Sequence, residues 1–170
     1  GGLCVGPGLE RRLSPLLRGG TGSRSEFEEQ PDFLPDRFES GTPNTVGLAG
    51  LAAGAAFLLE QGVENVRRHE EILAGAFLDG LRFLRDVTVY GPPEASRRIP
   101  VVSLNVGDLS PAEVSQALDE RYGILTRPGL HCAPAAHRTL KTFPDGAVRF
   151  SFSFFNDTGD VTAALEALEE

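Results

Sequence analysis

Residues 99–122 read IPVVSLNVGDLSPAEVSQALDERY, and this stretch decides the predicted fold. Its first eight residues are rich in β-branched side chains, which favours a strand. Residues 110–113, Ser-Pro-Ala-Glu, have the spacing of a capping box with proline at the first helical position. The helix that follows carries Val114, Ala117, Leu118 and Tyr122 on one side. The stretch therefore predicts a strand followed by a helix that covers a sheet.

The flanking residues extend this alternation of strands and helices. Further strands are predicted at residues 87–90, 123–127 and 147–153, a short helix at 135–141, and a last helix capped by Thr158. The order is strand, strand, helix, strand, short helix, strand, helix. It indicates an α/β protein of the α+β layer type, with helices on one face of a mixed or antiparallel sheet.

The first half of the chain has a different character. Residues 19–44 combine glycine, proline, serine and many charges, which predicts a long ordered loop or a linker. Two helices follow, at 44–61 and 63–86, with Gly62 as the C′ residue of the first. We divide the chain into residues 1–44, the edge of a larger domain; 45–86, connecting helices; and 87–170, a small C-terminal α+β domain.

Composition excludes several classes of partner. The 170 residues include 16 basic and 24 acidic side chains, a net charge of −8. This balance argues against nucleic acid and against anionic membranes as partners, and the apolar run at residues 46–59 is too short to span a bilayer. Two cysteines make no disulfide framework, so we expect a cytoplasmic protein. The chain also lacks methionine, starts at Gly1 and has one lysine, Lys141, so we expect a fragment or processed form.

The segment richest in chemistry is Arg-Pro-Gly-Leu-His-Cys-Ala-Pro at residues 127–134, which we call the cysteine loop. Proline and glycine favour a tight loop that presents side chains at the surface. Cys132 lies there beside His131 and Arg127, and nearby positive charge favours a reactive thiolate. The alternative is a small buried apolar residue. His131, Cys132 and His137 lack a fourth zinc ligand at suitable spacing, so we expect no metal site.

Two further segments could bind anions. Arg149 lies in a predicted strand, where it is either an exposed charge or a planar fork for a substrate carboxylate. Gly41 and Thr42 precede the first helix and could offer an N–H group and a hydroxyl to phosphate. The alternative for that segment is ordinary helix capping.

Taken in order, these segments resemble the cysteine desulfurase and selenocysteine lyase-like branch of the class V aminotransferases. The resemblance covers essentially the whole chain, and its most specific motifs are Gly-Thr-Pro-Asn at 41–44 and Arg-x-Gly-x-His-Cys-Ala at 127–133. It implies the type I fold of pyridoxal-phosphate (PLP) enzymes. The chain would then hold the small C-terminal domain and, in residues 1–44, the trailing edge of the large PLP-binding domain with an active-site loop. Pro128 and Cys4 depart from the family pattern, which commonly has threonine and an aromatic residue there.

The resemblance implies roles for individual residues. Cys132 matches the catalytic cysteine that takes sulfur from L-cysteine as a persulfide, and Arg149 matches the arginine that binds the substrate carboxylate. Thr42, with Gly41, matches a residue that reaches the PLP phosphate of the neighbouring subunit in a homodimer. Arg127 and His131 match residues of the cysteine loop without an assigned role. L-Alanine leaves, and an acceptor protein takes the sulfur; L-selenocysteine is an alternative substrate.

The resemblance also implies that this chain lacks the cofactor lysine, because Lys141 lies after the cysteine loop, in the wrong context. The family lysine falls shortly before the strand that Gly1 would open. We therefore expect the 170-residue chain alone to bind no PLP covalently. Purified chain should show no visible absorbance from lysine-bound cofactor and release no alanine from cysteine; turnover by it would contradict this expectation.

Two other functions remain open at this stage. One is a different class V PLP enzyme, such as an aminotransferase or a kynureninase-type lyase, in which Cys132 would not be needed for the reaction. The other is a non-enzymatic α+β interaction module, in which the cysteine loop would be structural and Cys132 would react with alkylating reagents as slowly as a buried thiol.

Overall fold

The computed structural model describes residues 1–24 and 26–170. It divides the chain into two compact units, Gly1–Glu60 and Gln61–Glu170. The boundary lies about 26 residues before the one we placed between the connecting helices and the C-terminal domain. The second helix therefore belongs to the C-terminal unit, because its apolar face packs on the sheet of that unit, as described below. The two units are described separately.

The N-terminal unit consists of loops followed by helix α1 (Thr45–Gln61). Asn44 caps this helix, since the Gly47 N–H donates to its Oδ1 at 3.0 Å. The glycine-rich loop before it is fixed by side chains: Thr21 Oγ1 lies 3.1 Å from Ser23 Oγ, and Ser23 Oγ donates to an Asp36 carboxylate oxygen. No residue of α1 is buried.

The C-terminal unit contains a three-stranded antiparallel sheet and four helices. The strands are β1 (Val87–Tyr90), β2 (Val101–Val106) and β3 (Val148–Ser151), in the order β1-β2-β3. The helices are α2 (Val63–Leu81), α3 (Pro111–Tyr122), α4 (Pro134–Leu140) and α5 (Thr158–Glu169), with a 3-10 turn at Ala95–Arg97. The predicted α/β class, as an α+β layer with an antiparallel sheet, is confirmed.

Helix α2 packs on the sheet through its apolar face. Phe77 is fully buried, and its ring centroid lies 5.0 Å from that of Phe150 and 5.1 Å from that of Phe152. Alternate residues of β2 and β3 face this core, so Val102 and Leu104 are also fully buried. This burial ties α2 to the C-terminal unit. The helix ends at Leu81, before the predicted Asp86, and Phe83 beyond it is exposed.

Two helix starts follow the capping rules. Ser110 and Glu113 form the predicted capping box on α3, with the Ser110 N–H donating to Glu113 Oε2 at 2.9 Å. For α5, Thr158 is the first helical residue and not the cap as predicted. Asp157 caps the helix, because its carboxylate accepts from the Gly159 and Asp160 N–H groups.

The strand predicted at residues 123–127 does not form. Gly123 closes α3 in the left-handed conformation, and the Ile124 N–H donates back to the Leu118 carbonyl at 3.0 Å. Within residues 123–127, only Arg127 pairs with the sheet, through an antiparallel bridge to Arg149 on β3. This bridge lies at the first residue of the cysteine loop.

Within the described residues, no single helix is long and apolar enough to cross a membrane. The adjoining helices α1 and α2 meet the length and composition of a span only as a bent pair.

Candidate active site

The cysteine loop is anchored along β3 by two pairs of backbone hydrogen bonds. Arg127 and Arg149 exchange N–H···O bonds of 3.2 and 2.9 Å, and Gly129 and Ala147 exchange bonds of 3.0 and 3.1 Å. The first part of the loop therefore runs antiparallel to the start of β3. This pairing places the loop beside the strand that carries Arg149.

The loop turns sharply at its centre. His131 and Cys132 both have left-handed backbones, with φ of 51° and 59°. Such values are uncommon for residues other than glycine and indicate a constrained backbone. The Ala133 N–H donates to the Leu130 carbonyl at 2.8 Å, which closes the turn. Pro134 then begins α4 at the first helical position, so the thiol is presented directly before a helix.

Cys132 is exposed and lies against a positive charge. A terminal nitrogen of Arg127 (Nη2) donates to the Cys132 Sγ at 3.7 Å. A guanidinium in this position stabilises negative charge on the sulfur, and the thiolate is the nucleophilic form of cysteine. The alternative of a small buried apolar residue does not fit this exposure.

His131 bonds back to the first residue of the cysteine loop. Its Nε2 lies 2.8 Å from the Arg127 carbonyl, and since a carbonyl can only accept, Nε2 carries the proton. Burial lowers the pKa of His131, and the charges of Arg149 and Arg127 lower it further, although the bond to the Arg127 carbonyl raises it. A lowered pKa favours the neutral ring, in which Nδ1 carries no proton.

Arg149 is half-buried on β3 and not fully exposed. Its Nε is buried and has no hydrogen-bond partner within residues 1–24 and 26–170. A buried donor without a partner is costly, so a guanidinium in this state is suited to an anion that would complete its hydrogen bonds.

The other predicted site residues lie in the N-terminal unit. Gly41 has a φ of 80°, and its N–H already donates to the Gly20 carbonyl at 2.7 Å. Thr42 is exposed, and because Asn44 caps α1, the Thr42 hydroxyl is not used for capping. The structure thus brings Arg127, His131, Cys132 and Arg149 together in one unit and leaves Gly41 and Thr42 in the other. Cys4, also in that unit, is exposed.

A buried histidine extends the site beyond the predicted residues. His137 on α4 is the one buried polar side chain of the described residues. Its ring centroid lies 5.5 Å from that of His131, and its Nδ1 is 2.7 Å from Thr142 Oγ1. The sequence marked His137 only as a weak zinc ligand. In the described part of the chain, no group of three His, Cys, Asp or Glu residues is placed to hold a metal ion.

Comparison with known proteins identifies the family of this chain. The family model for aminotransferase class-V matches residues 1–164. A probable cysteine desulfurase of Pyrococcus abyssi is 38% identical over 160 residues, covering 92% of this chain and 38% of the relative. A cysteine desulfurase of Haloferax volcanii is 34% identical, covering 92% of this chain and 36% of the relative. The chain thus spans well under half the length of these relatives.

Solved structures give the same result. The apo cysteine desulfurase of Thermococcus onnurineus superposes with a TM-score of 0.74 at 38% identity, covering 79% of this chain and 33% of that one. The Escherichia coli cysteine desulfurase CsdA, in its S-sulfonic acid form, superposes with a TM-score of 0.76 at 26% identity, covering 91% and 38%. Because the family model matches nearly every residue, the chain belongs to the aminotransferase class-V family.

Proposed function

We propose that this chain supplies the nucleophilic thiol and the carboxylate-binding arginine of a PLP-dependent cysteine desulfurase. The observation that carries the proposal is the exposed Cys132, held in a constrained turn with the Arg127 guanidinium 3.7 Å from its sulfur. The same loop is bonded along the strand that bears Arg149. A nucleophile and an anion-binding group on one framework suit a substrate that has both a sulfur atom and a carboxylate.

Residues of this chain are suited to bind the phosphate of PLP, but not its aldehyde. The exposed Thr42 hydroxyl could bind the PLP phosphate of a neighbouring subunit in a homodimer. The Gly41 N–H is already bonded to Gly20, so Gly41 would contribute its backbone conformation and not a donor. Lys141 is exposed at the C-terminal cap of α4, and we assign it no part in holding the cofactor aldehyde.

In the proposed reaction, the Cys132 thiolate attacks the sulfur of L-cysteine. An S–S bond forms, the substrate C–S bond breaks, and its electron pair stays with the carbon. PLP, when bound, supplies the electron sink for that pair. The carbon gains a proton and leaves as L-alanine, while Cys132 keeps the sulfur as a persulfide for an acceptor protein. L-Selenocysteine is an alternative substrate of the same chemistry.

The surroundings of the two cysteines support a reducing compartment. Cys4 and Cys132 are both free and exposed, and exposed thiols persist where disulfides are kept reduced. We propose a cytoplasmic location for the enzyme.

The activity can be tested in a full-length enzyme that contains this chain, loaded with PLP. We expect L-alanine and sulfide in equal amounts from L-cysteine and a thiol reductant. Formation of a keto acid with transfer of the amino group, and no sulfide, would instead identify an aminotransferase and contradict the proposal.

Arg149 provides a separate test of substrate binding. In the full-length enzyme, we expect Arg149→Gln to raise KM for L-cysteine by about ten- to a hundredfold, because charge-assisted hydrogen bonds to the carboxylate are lost. Arg149→Lys should recover only part of the loss, since lysine cannot bind bidentately. The matched control is Arg138→Gln, because Arg138 lies on α4 and its guanidinium packs on the Phe143 ring at 4.6 Å. Equal KM values for Arg149→Gln and the control would contradict the assignment.

A further inference from the structure

We propose that His137 is a positioning residue for Cys132. Its ring supports the ring of His131. His131 adds a third hydrogen bond to the Arg127 backbone, beside the two exchanged with Arg149, and the Arg127 guanidinium meets the cysteine sulfur. The inference rests on the proposed function only for the use of that sulfur in catalysis. The contacts themselves lie within the C-terminal unit.

The first link is the attachment of His137 to its own surroundings. The side chain is 5% exposed, and burying a polar ring is costly unless it is hydrogen-bonded. Its Nδ1 meets Thr142 Oγ1 at 2.7 Å, and the Thr142 N–H donates to the His137 carbonyl at 2.9 Å. The His137 backbone N–H donates to the Ala133 carbonyl at 3.2 Å, so the His137 backbone is tied to the residue directly after Cys132. The bond of Nδ1 to Thr142 orients the imidazole on that backbone.

The second link runs from His137 to the cysteine loop. The His131 and His137 ring centroids are 5.5 Å apart with the planes inclined by 57°. This contact holds the ring of His131, a residue whose left-handed backbone gives it a strained conformation. A strained residue persists only where its surroundings over-determine it, and the buried His137 ring is one such support.

The third link joins His131 to the reactive sulfur. His131 Nε2 donates to the Arg127 carbonyl at 2.8 Å, and Arg127 Nη2 reaches Cys132 Sγ at 3.7 Å. Arg127 is otherwise exposed, so its side chain depends on the loop for its direction. Loss of the His137 ring or of its Thr142 bond would therefore loosen the Arg127–Cys132 contact without removing either residue.

The test uses alkylation of Cys132 by iodoacetamide in the full-length enzyme that contains this chain, with Cys4 as an internal reference measured by peptide mass spectrometry. In His137→Ala and Thr142→Val, we expect the Cys132 rate at pH 7 to fall about two- to fivefold relative to Cys4, the range that one exposed charge contact provides. Thr142→Ser keeps the hydroxyl and should restore the wild-type rate. Thr139→Val is the matched control, because that hydroxyl bonds only to the Ala135 carbonyl of the same helix.

A second readout separates positioning from general stability. In the full-length enzyme, His137→Ala and Thr142→Val should lower kcat by about ten- to a hundredfold while KM for L-cysteine stays within about twofold, since misplacing a nucleophile slows the reaction step. If circular dichroism shows that His137→Ala does not fold, the comparison of Thr142→Val with Thr142→Ser still tests the inference. Unchanged alkylation in Thr142→Val would overturn the inference. Absence of desulfurase activity in the wild-type enzyme would instead overturn the proposed function and leave the alkylation result standing.

Discussion

Replacing Cys132 by alanine in a full-length enzyme that contains this chain is expected to lower sulfur release from L-cysteine by about a thousandfold or more, as loss of a covalent nucleophile does elsewhere. The reason is that the substrate sulfur then has no thiolate to accept it. Among the described residues the one other thiol is Cys4, which lies in the N-terminal unit. The measurement is sulfide and alanine production at saturating L-cysteine.

The matched control for this experiment is Cys4→Ala. Cys4 is also exposed and free, so its replacement removes a thiol of similar accessibility without touching the cysteine loop. We expect its activity to equal that of the wild type. Unchanged sulfur release in Cys132→Ala would contradict the assignment of the nucleophile and favour another class V reaction.

Replacing Gly146 by alanine should destabilise the C-terminal unit more than the same replacement at any other turn glycine of that unit. Gly146 is buried two residues before β3 and has a φ of 87°, a conformation that costs an alanine about 1–2 kcal/mol. A Cβ there would lie 2.1 Å from the Gly129 carbonyl oxygen, in the backbone of the cysteine loop. Since that oxygen accepts from the Ala147 N–H, relief of the clash must break the loop from β3. We expect unfolding free energy to fall by about 3–5 kcal/mol in total.

Gly123→Ala separates the cost of the left-handed backbone from the cost of the clash with the Gly129 carbonyl. Gly123 also has a left-handed backbone, with φ of 66°, but nothing lies within 4 Å of its Cβ position. In this variant the free energy of unfolding should fall only by the cost of the left-handed backbone, about 1–2 kcal/mol. Urea denaturation followed by circular dichroism compares the two variants. Equal losses would show that the approach of Gly146 to the cysteine loop contributes nothing to stability.

Periodicity and capping signals predicted the helices and three of the strands well. The capping box at Ser110 and Glu113 is local, so its outcome depends on few distant contacts. The strand predicted at residues 123–127 did not form because strand formation depends on long-range pairing, and of these five residues only Arg127 pairs with β3. The assignment of α2 to the C-terminal unit was missed for a similar reason: the burial of Phe77 against β3 is a tertiary contact.

The candidate site was predictable where residue type carries the chemistry. Cys132, His131 and Arg127 are neighbours in sequence, so a shared loop follows from spacing alone. The contact between Arg127 and the sulfur, and the left-handed backbones of two successive residues, needed coordinates. His137 could be noticed only as a possible ligand, because its burial and its bond to Thr142 depend on how α4 packs.

The central claim is that Cys132 takes sulfur from the substrate. The most direct measurement incubates the PLP-loaded full-length enzyme with L-cysteine, omits any reductant, alkylates the protein and maps its peptides by mass spectrometry. The account predicts the mass of one added sulfur atom on the peptide that contains Cys132, with none on the peptide that contains Cys4. Alanine production without added sulfur on Cys132, or sulfur on another residue alone, would contradict it.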